Sequence, residues 1–269
     1  MTSFIAWVAV DERAPSAVYF ASESRLSTNT WHWDFGRKLF ASQSYPDIFG
    51  YVGDVLFPSQ ILSQIIDLID AGVLFTPKDD TEQKLDKIKF FLYQVAGEYP
   101  NLSDVYIYYC SRLDKDGKSS LSSTFRMYRL CFRNNQWLSE RIGMPMKSGT
   151  IIIDGSGKEQ VRSAIEVWQQ SPHKDTSRSM FSAFCDALET AKDSRSGGAP
   201  QLVGIHRKGN ARCFGVVHKN KRYFLGLPVS NPGNPNSINW FNDIFEITNG
   251  ATKKRQAGVQ KHMDISSKK

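Results

Sequence analysis

A chain of 269 residues, 41% of them hydrophobic, can bury a substantial core in one large domain or two small ones. The first fifteen residues carry no basic n-region, and the apolar run Phe4 to Val10 stops at Asp11, Glu12 and Arg13. This argues against a signal peptide or a membrane span and makes the cytoplasm the expected compartment. The net charge of +7 is local: residues 250–269 hold six basic residues and one acidic, leaving 28 against 26, or +2, for the rest. A nucleic-acid module is therefore disfavoured except through a flexible basic tail at 250–269.

Along the chain, Ser3 to Val10 and Ala17 to Ser22 are β-rich runs separated by the turn "DERAPS", and they predict an antiparallel hairpin. "KLFASQS" and "DIFGYVG", broken at Tyr45-Pro46, predict a second pair. In "SQILSQIIDLIDAG" the residues Ile61, Leu62, Ile65, Ile66 and Ile69 share one helical face, with Gly72 as the expected C-cap. Asp80 and Gln83 resemble a capping box for the next helix, where Leu85, Ile88, Leu92 and Val95 repeat at three and four residues before Pro100.

Strands are expected again at "DVYIYYCSR", "TFRMYRLCF" and "GTIIIDG", the first two joined by the long turn Leu113 to Ser123. Two more helices follow, "KEQVRSAIEVWQQ" and "DTSRSMFSAFCDALETAK", the second with Asp175 or Thr176 as cap. A last hairpin is expected from "ARCFGVV" and "RYFLG". The order strands, two helices, strands, two helices, strands lacks βαβ alternation. It predicts an α+β fold, a four-layer αββα sandwich of two antiparallel sheets in one domain, residues 1–249.

Common catalytic motifs fail. "DGSGKE" would need a glycine where Ile152 stands and a Ser or Thr where Glu159 stands to be a phosphate loop. The five histidines give no H-x-x-x-H and no G-x-S-x-G is present. Cys110, Cys131, Cys185 and Cys213 form no C-x-x-C pair, so reduced, mostly buried thiols are expected, with no metal and no cofactor.

What remains is an ordered set: Thr2 before a strand, "ASESR", Lys38 opening the third strand, "YVGD", "DGSG" and "DSRSGG". Together, over residues 2–226, they resemble the proteasome β-subunit and HslV-like N-terminal-nucleophile (Ntn) hydrolases. The resemblance implies that Thr2 is the nucleophile, exposed by removal of Met1. It places Glu23 where the family has aspartate in A-x-D-S-R, and Lys38 at the family lysine. It puts the Gly53 N–H in the oxyanion hole, and gives Ser156, Asp193 and Ser196 the role of supporting the threonine amine. Tyr51 and Val55 would flank the specificity pocket, and the Ser27 backbone would pair with an extended substrate. Implied partners are a peptide or unfolded protein substrate, a homo-oligomeric ring and an ATP-dependent unfoldase.

The chemistry is intelligible independently. A threonine hydroxyl needs a base, and a free α-amine, with an ordinary pKa of roughly 7.7–8.0, supplies one from the same residue. An ammonium beside that amine favours its neutral form, and a carboxylate keeps the ammonium charged and aimed. Glu23 carries one methylene more than aspartate, and with Met1 retained the Thr2 nitrogen is an amide with no basicity. A non-catalytic proteasome-like scaffold is therefore the alternative reading. Taken singly, Thr2 is an ordinary small second residue, and Lys38 an ordinary strand lysine.

Overall fold

The computed structural model describes residues 2–28, 30–114, 120, 122–190, 196–259 and 261. In chain order the first part comprises β1 (Ser3–Val10), β2 (Pro15–Ser22), β3 (Leu26–Ser27), β4 (His32–Trp33), β5 (Leu39–Ala41), β6 (Asp47–Gly53), α1 (Leu56–Asp70) and α2 (Thr81–Glu98). The middle holds β7 (Val105–Leu113), β8 (Thr124–Arg133), β9 (Gln136–Ile142), β10 (Gly149–Gly155), α3 (Lys158–Gln169) and α4 (Ser177–Glu189). Six short strands follow: β11 (Gln201–His206), β12 (Arg212–His218), β13 (Lys221–Phe224), β14 (Leu227–Pro228), β15 (Trp240–Asn242) and β16 (Ile247–Thr248).

The class is mixed α and β, with predominantly antiparallel sheets. One sheet runs β10-β1-β2-β11-β12-β13-β14, with β15 and β16 attached beside β12. A second runs β5-β6-β7-β8-β9, and β3 and β4 form a separate ribbon. The expectation of purely antiparallel sheets is corrected at one ladder, because β15 pairs in parallel with β12.

Period-two alternation explains why these strands read as nearly continuous apolar runs. In β1, Phe4, Ala6 and Val8 join one buried cluster while Ile5 and Trp7 join another with α3 and α4. In β7, Tyr108 and Cys110 face the same cluster as Phe4, whereas Val105, Ile107 and Tyr109 meet the apolar faces of α1 and α2. Each central strand is thus covered on both sides, one side by helices and the other by residues of the opposite sheet.

The helices start for local reasons. Asp80 accepts from the N–H groups of Glu82 and Gln83 while Gln83 Oε1 accepts from Asp80 N–H at 2.9 Å, which is the expected capping box. Thr176, not Asp175, caps α4. Helix α1 begins at Leu56, three residues before the expected start, because Pro58 is tolerated in a first turn and Asp54 accepts the Phe57 N–H.

Residues 250–259 are tied to the body: Arg222 bonds the carbonyls of Gly250 and Ala251, and Gly250 N–H bonds Asn236. The break expected after Asn249 therefore does not coincide with a loss of contact, and residues 260 and 262–269 of the predicted basic tail lie outside the described residues. Among the described residues no helix is long and apolar enough to cross a membrane.

Candidate active site

Thr2 enters β1 against the end of β10, where Ser3 lies opposite Gly155. The two glycines of "DGSG" are required by close approach. Gly155 has φ +96° and a Cβ there would overlap the Thr2 carbonyl oxygen; a Cβ on Gly157 would overlap Ser3 Oγ. The Gly157 N–H donates to the Thr2 carbonyl at 3.4 Å. Between them Ser156 Oγ is buried without a hydrogen-bond partner among the described residues. Asp154 fixes the turn by accepting from Tyr108 of the opposite sheet and, at 2.7 Å, from Gly155 N–H.

Thr2, Glu23 and Lys38 are each 0% exposed, and they meet. Lys38 Nζ donates to Thr2 Oγ1 at 3.1 Å and to Glu23 Oε1. The second carboxylate oxygen, Oε2, accepts the backbone N–H of Arg25 and, at 3.3 Å, that of Gly197. Desolvation pushes the Glu23 carboxyl up and the Lys38 ammonium down, and their mutual attraction opposes both shifts. Removing such charges from water costs several kcal/mol per ion, so a buried pair held by three hydrogen bonds to its carboxylate marks a candidate functional site.

A further set of groups, not anticipated from sequence, holds this pair. Gln201 at the start of β11 accepts the Lys38 N–H at 3.1 Å and donates Nε2–H to the carbonyls of Glu23 and Gly36 at 3.1 and 2.8 Å. Ser24 Oγ donates to the Asp34 carbonyl and accepts the Ala199 N–H. The Arg25 guanidinium grips the Asp34 carboxylate through two bonds of 2.6 and 2.9 Å, which hold Asp34 below its ordinary pKa. "ASESR", "DFGRK" and "SGGA" are therefore interlocked around one carboxylate.

Of the remaining predicted residues, Ser196 Oγ is 2.6 Å from Ser3 Oγ, so it is joined to the residue after Thr2. Asp193 and Met1 lie outside the described residues. Gly53 ends β6 with φ +104°, and a Cβ there would overlap the Asp104 carbonyl, so the position demands glycine. Ser27 and Val55 line a cleft of about 690 Å³ together with Trp31, Trp33, Phe40 and Leu56. Ser27 pairs with His32 in the β3–β4 ribbon.

Tyr51 is a correction. Strand alternation sends it, like Phe49, into the core under α1, where it is fully buried and donates its hydroxyl to the Arg37 carbonyl at 3.2 Å. It braces the cleft from beneath through Arg37 and does not line it. Compared with models of known protein families the chain matches none, and no curated protein sequence matches it significantly.

Proposed function

We propose that this chain is an N-terminal-nucleophile hydrolase of the proteasome β-subunit type, a threonine peptidase or amidase active once Met1 is removed. The observation that carries the reading is the buried Thr2–Lys38–Glu23 constellation, with Lys38 Nζ 3.1 Å from Thr2 Oγ1. In this reading the three stacked apolar clusters belong to a four-layer αββα sandwich in one domain, residues 1–249, with a basic tail at 250–269.

The Thr2 hydroxyl proton passes to its own free amine as Oγ1 bonds the substrate carbonyl carbon, and the oxyanion takes the Gly53 N–H. The C–N bond then breaks and the ammonium returns its proton to the leaving amine. Water, deprotonated by the same amine, attacks the ester and releases Thr2. Lys38 keeps the amine in its basic form and Glu23 aims Lys38. Ser156, whose hydroxyl has no hydrogen-bond partner among the described residues, would support the amine, as would Asp193 and Ser196. The substrate, an extended peptide or unfolded protein, would lie in the cleft along Ser27 and Val55. A homo-oligomeric cytoplasmic ring fed by an ATP-dependent unfoldase is the assembly that fits this activity.

One observation favours a second reading, an unprocessed scaffold: Thr2 is 0% exposed, so no substrate carbonyl reaches its hydroxyl in the chain as it stands. Hydrolysis of fluorogenic peptides by wild type, abolished in Thr2→Ala and Lys38→Ala, supports the peptidase. Hydrolysis that survives either change overturns it.

A further inference from the structure

A second polar cluster lies where α4 meets the ends of β12 and β15, independent of the threonine chemistry. It consists of Cys185 on α4, His218 at the end of β12 and Asp243 just after β15. The parallel β12–β15 ladder, in register at Val217 and Asn242, brings the next residue of each strand side by side. His218 Nδ1 is 2.7 Å from Asp243 Oδ1. Asn242 fixes the turn that carries Asp243, donating to Glu246 Oε2 and accepting the Glu246 N–H, both at 2.8 Å. Helix α4 is held against the same edge by Phe181 and Phe184, which pack with Phe241 and Phe245 in one core cluster. Three separate elements are thus organised to converge one thiol, one imidazole and one carboxylate.

We propose that Cys185, His218 and Asp243 form a binding site for a zinc-type divalent metal ion, with water in the fourth position. Their ligand atoms all lie within 4.8 Å of one another. Zinc bonds of about 2.0–2.3 Å in a tetrahedron separate neighbouring ligand atoms by roughly 3.3–3.8 Å. The widest pair therefore closes by about 1 Å, and the 2.7 Å His–Asp contact opens by somewhat less, both within the reach of side-chain rotation.

Charge and access agree with the geometry. The Cys185 sulfur lies among the carboxylates of Asp243, Asp186 and Glu189. The Lys219 ammonium reaches the outermost of them, Glu189, at 3.8 Å, and the Lys219 backbone N–H lies 3.5 Å from Asp243 Oδ2. A divalent ion entering here displaces the thiol proton, forms the metal–sulfur bond and neutralises the surrounding negative charge. Cys185 and His218 are buried, whereas the Asp243 side chain is 35% exposed, which provides the entry side and the place for water. A mixed sulfur, nitrogen and oxygen set suits zinc or cobalt better than magnesium or calcium, which prefer oxygen alone. The ion would clasp α4 to the edge of the large sheet.

The test uses the full-length protein without an affinity tag, stripped with a chelator and then given zinc or cobalt alone. About one zinc per chain should survive gel filtration, falling at least roughly tenfold in both Cys185→Ser and Asp243→Asn. The cobalt adduct of the wild type should show thiolate-to-metal charge-transfer absorption that disappears in Cys185→Ser. The partly exposed position of Asp243 makes Asp243→Asn informative even where the cysteine variant misfolds, and circular dichroism checks both. Zinc uptake below about a fifth of an equivalent, uptake unchanged in either folded variant, or a cobalt adduct without the charge-transfer band overturns the site.

Discussion

The ion pair of Glu23 and Lys38 should be a stability burden retained for chemistry, and this can be measured. Both groups are fully buried, and burial moves both toward neutrality: Glu23 upward, Lys38 downward. A carboxyl raised in the folded state gives up stability as pH rises through its folded pKa. An ammonium lowered in the folded state gives up stability as pH falls through its folded pKa. At neutral pH the charged pair therefore costs stability from both sides. In Glu23→Gln the amide oxygen can still accept the N–H groups of Arg25 and Gly197, but its NH₂ then faces the Lys38 ammonium, donor against donor. Leaving one buried charge unpaired costs about 3–5 kcal/mol. Adding Lys38→Met removes that charge at similar volume, so Glu23→Gln/Lys38→Met should recover to within about 1 kcal/mol of wild type. Urea unfolding at pH 7 with unchanged m-values reads both numbers. A single variant costing under about 1 kcal/mol, or a double variant no better than the single, refutes the reasoning.

Three further outcomes follow from particular residues. Gly53→Ala forces an L-residue to φ +104° against the Asp104 carbonyl, which should cost about 1–3 kcal/mol in urea unfolding from the backbone alone. If the Gly53 N–H binds the oxyanion, kcat should also fall by about 10²–10³. His206 is half-buried beside Tyr19, with its ring nitrogen 3.0 Å from the tyrosine hydroxyl, and partial desolvation lowers its pKa. Its contribution is therefore present above the ordinary histidine pKa and lost as pH falls, so His206→Gln should flatten the decline in stability between about pH 7 and 5. A slope identical to wild type would exclude His206 as its source. Trp33→Ala in the cleft should raise KM for apolar peptides about tenfold with kcat within about twofold, and an unchanged KM would place the substrate elsewhere.

The hairpin of β1 and β2, the capping box of α2 and the apolar stripe of α1 were legible because their signals are local: turn residues, a side chain three positions away, a 3.6-residue period. Strand β9 was not, since "QWLSERI" is an edge strand with mostly polar, exposed positions and no buried face to advertise it. Strand β11, six residues between glycine-rich turns, escaped for want of length, and with it Gln201, whose role exists only because the fold sets it beside residues 163 and 165 positions away. Tyr51 was misplaced for a different reason. The resemblance put it beside the specificity pocket, but strand alternation turns it to the face it shares with Phe49, and that face is core. Glu23 and Lys38 could be paired only through the order of motifs, because nothing in a lone glutamate and lysine fifteen residues apart marks them as buried.

The central claim is that Thr2 is the working nucleophile and its own nitrogen the base. Intact-mass analysis of the purified full chain, before and after a peptide epoxyketone, examines both groups at once, since that reagent captures a hydroxyl and a free α-amine on one residue. A chain that begins at Thr2 and gains one adduct, mapped to Thr2 and absent in Lys38→Ala, is the predicted result. A chain that uniformly retains Met1 and takes up no reagent contradicts it.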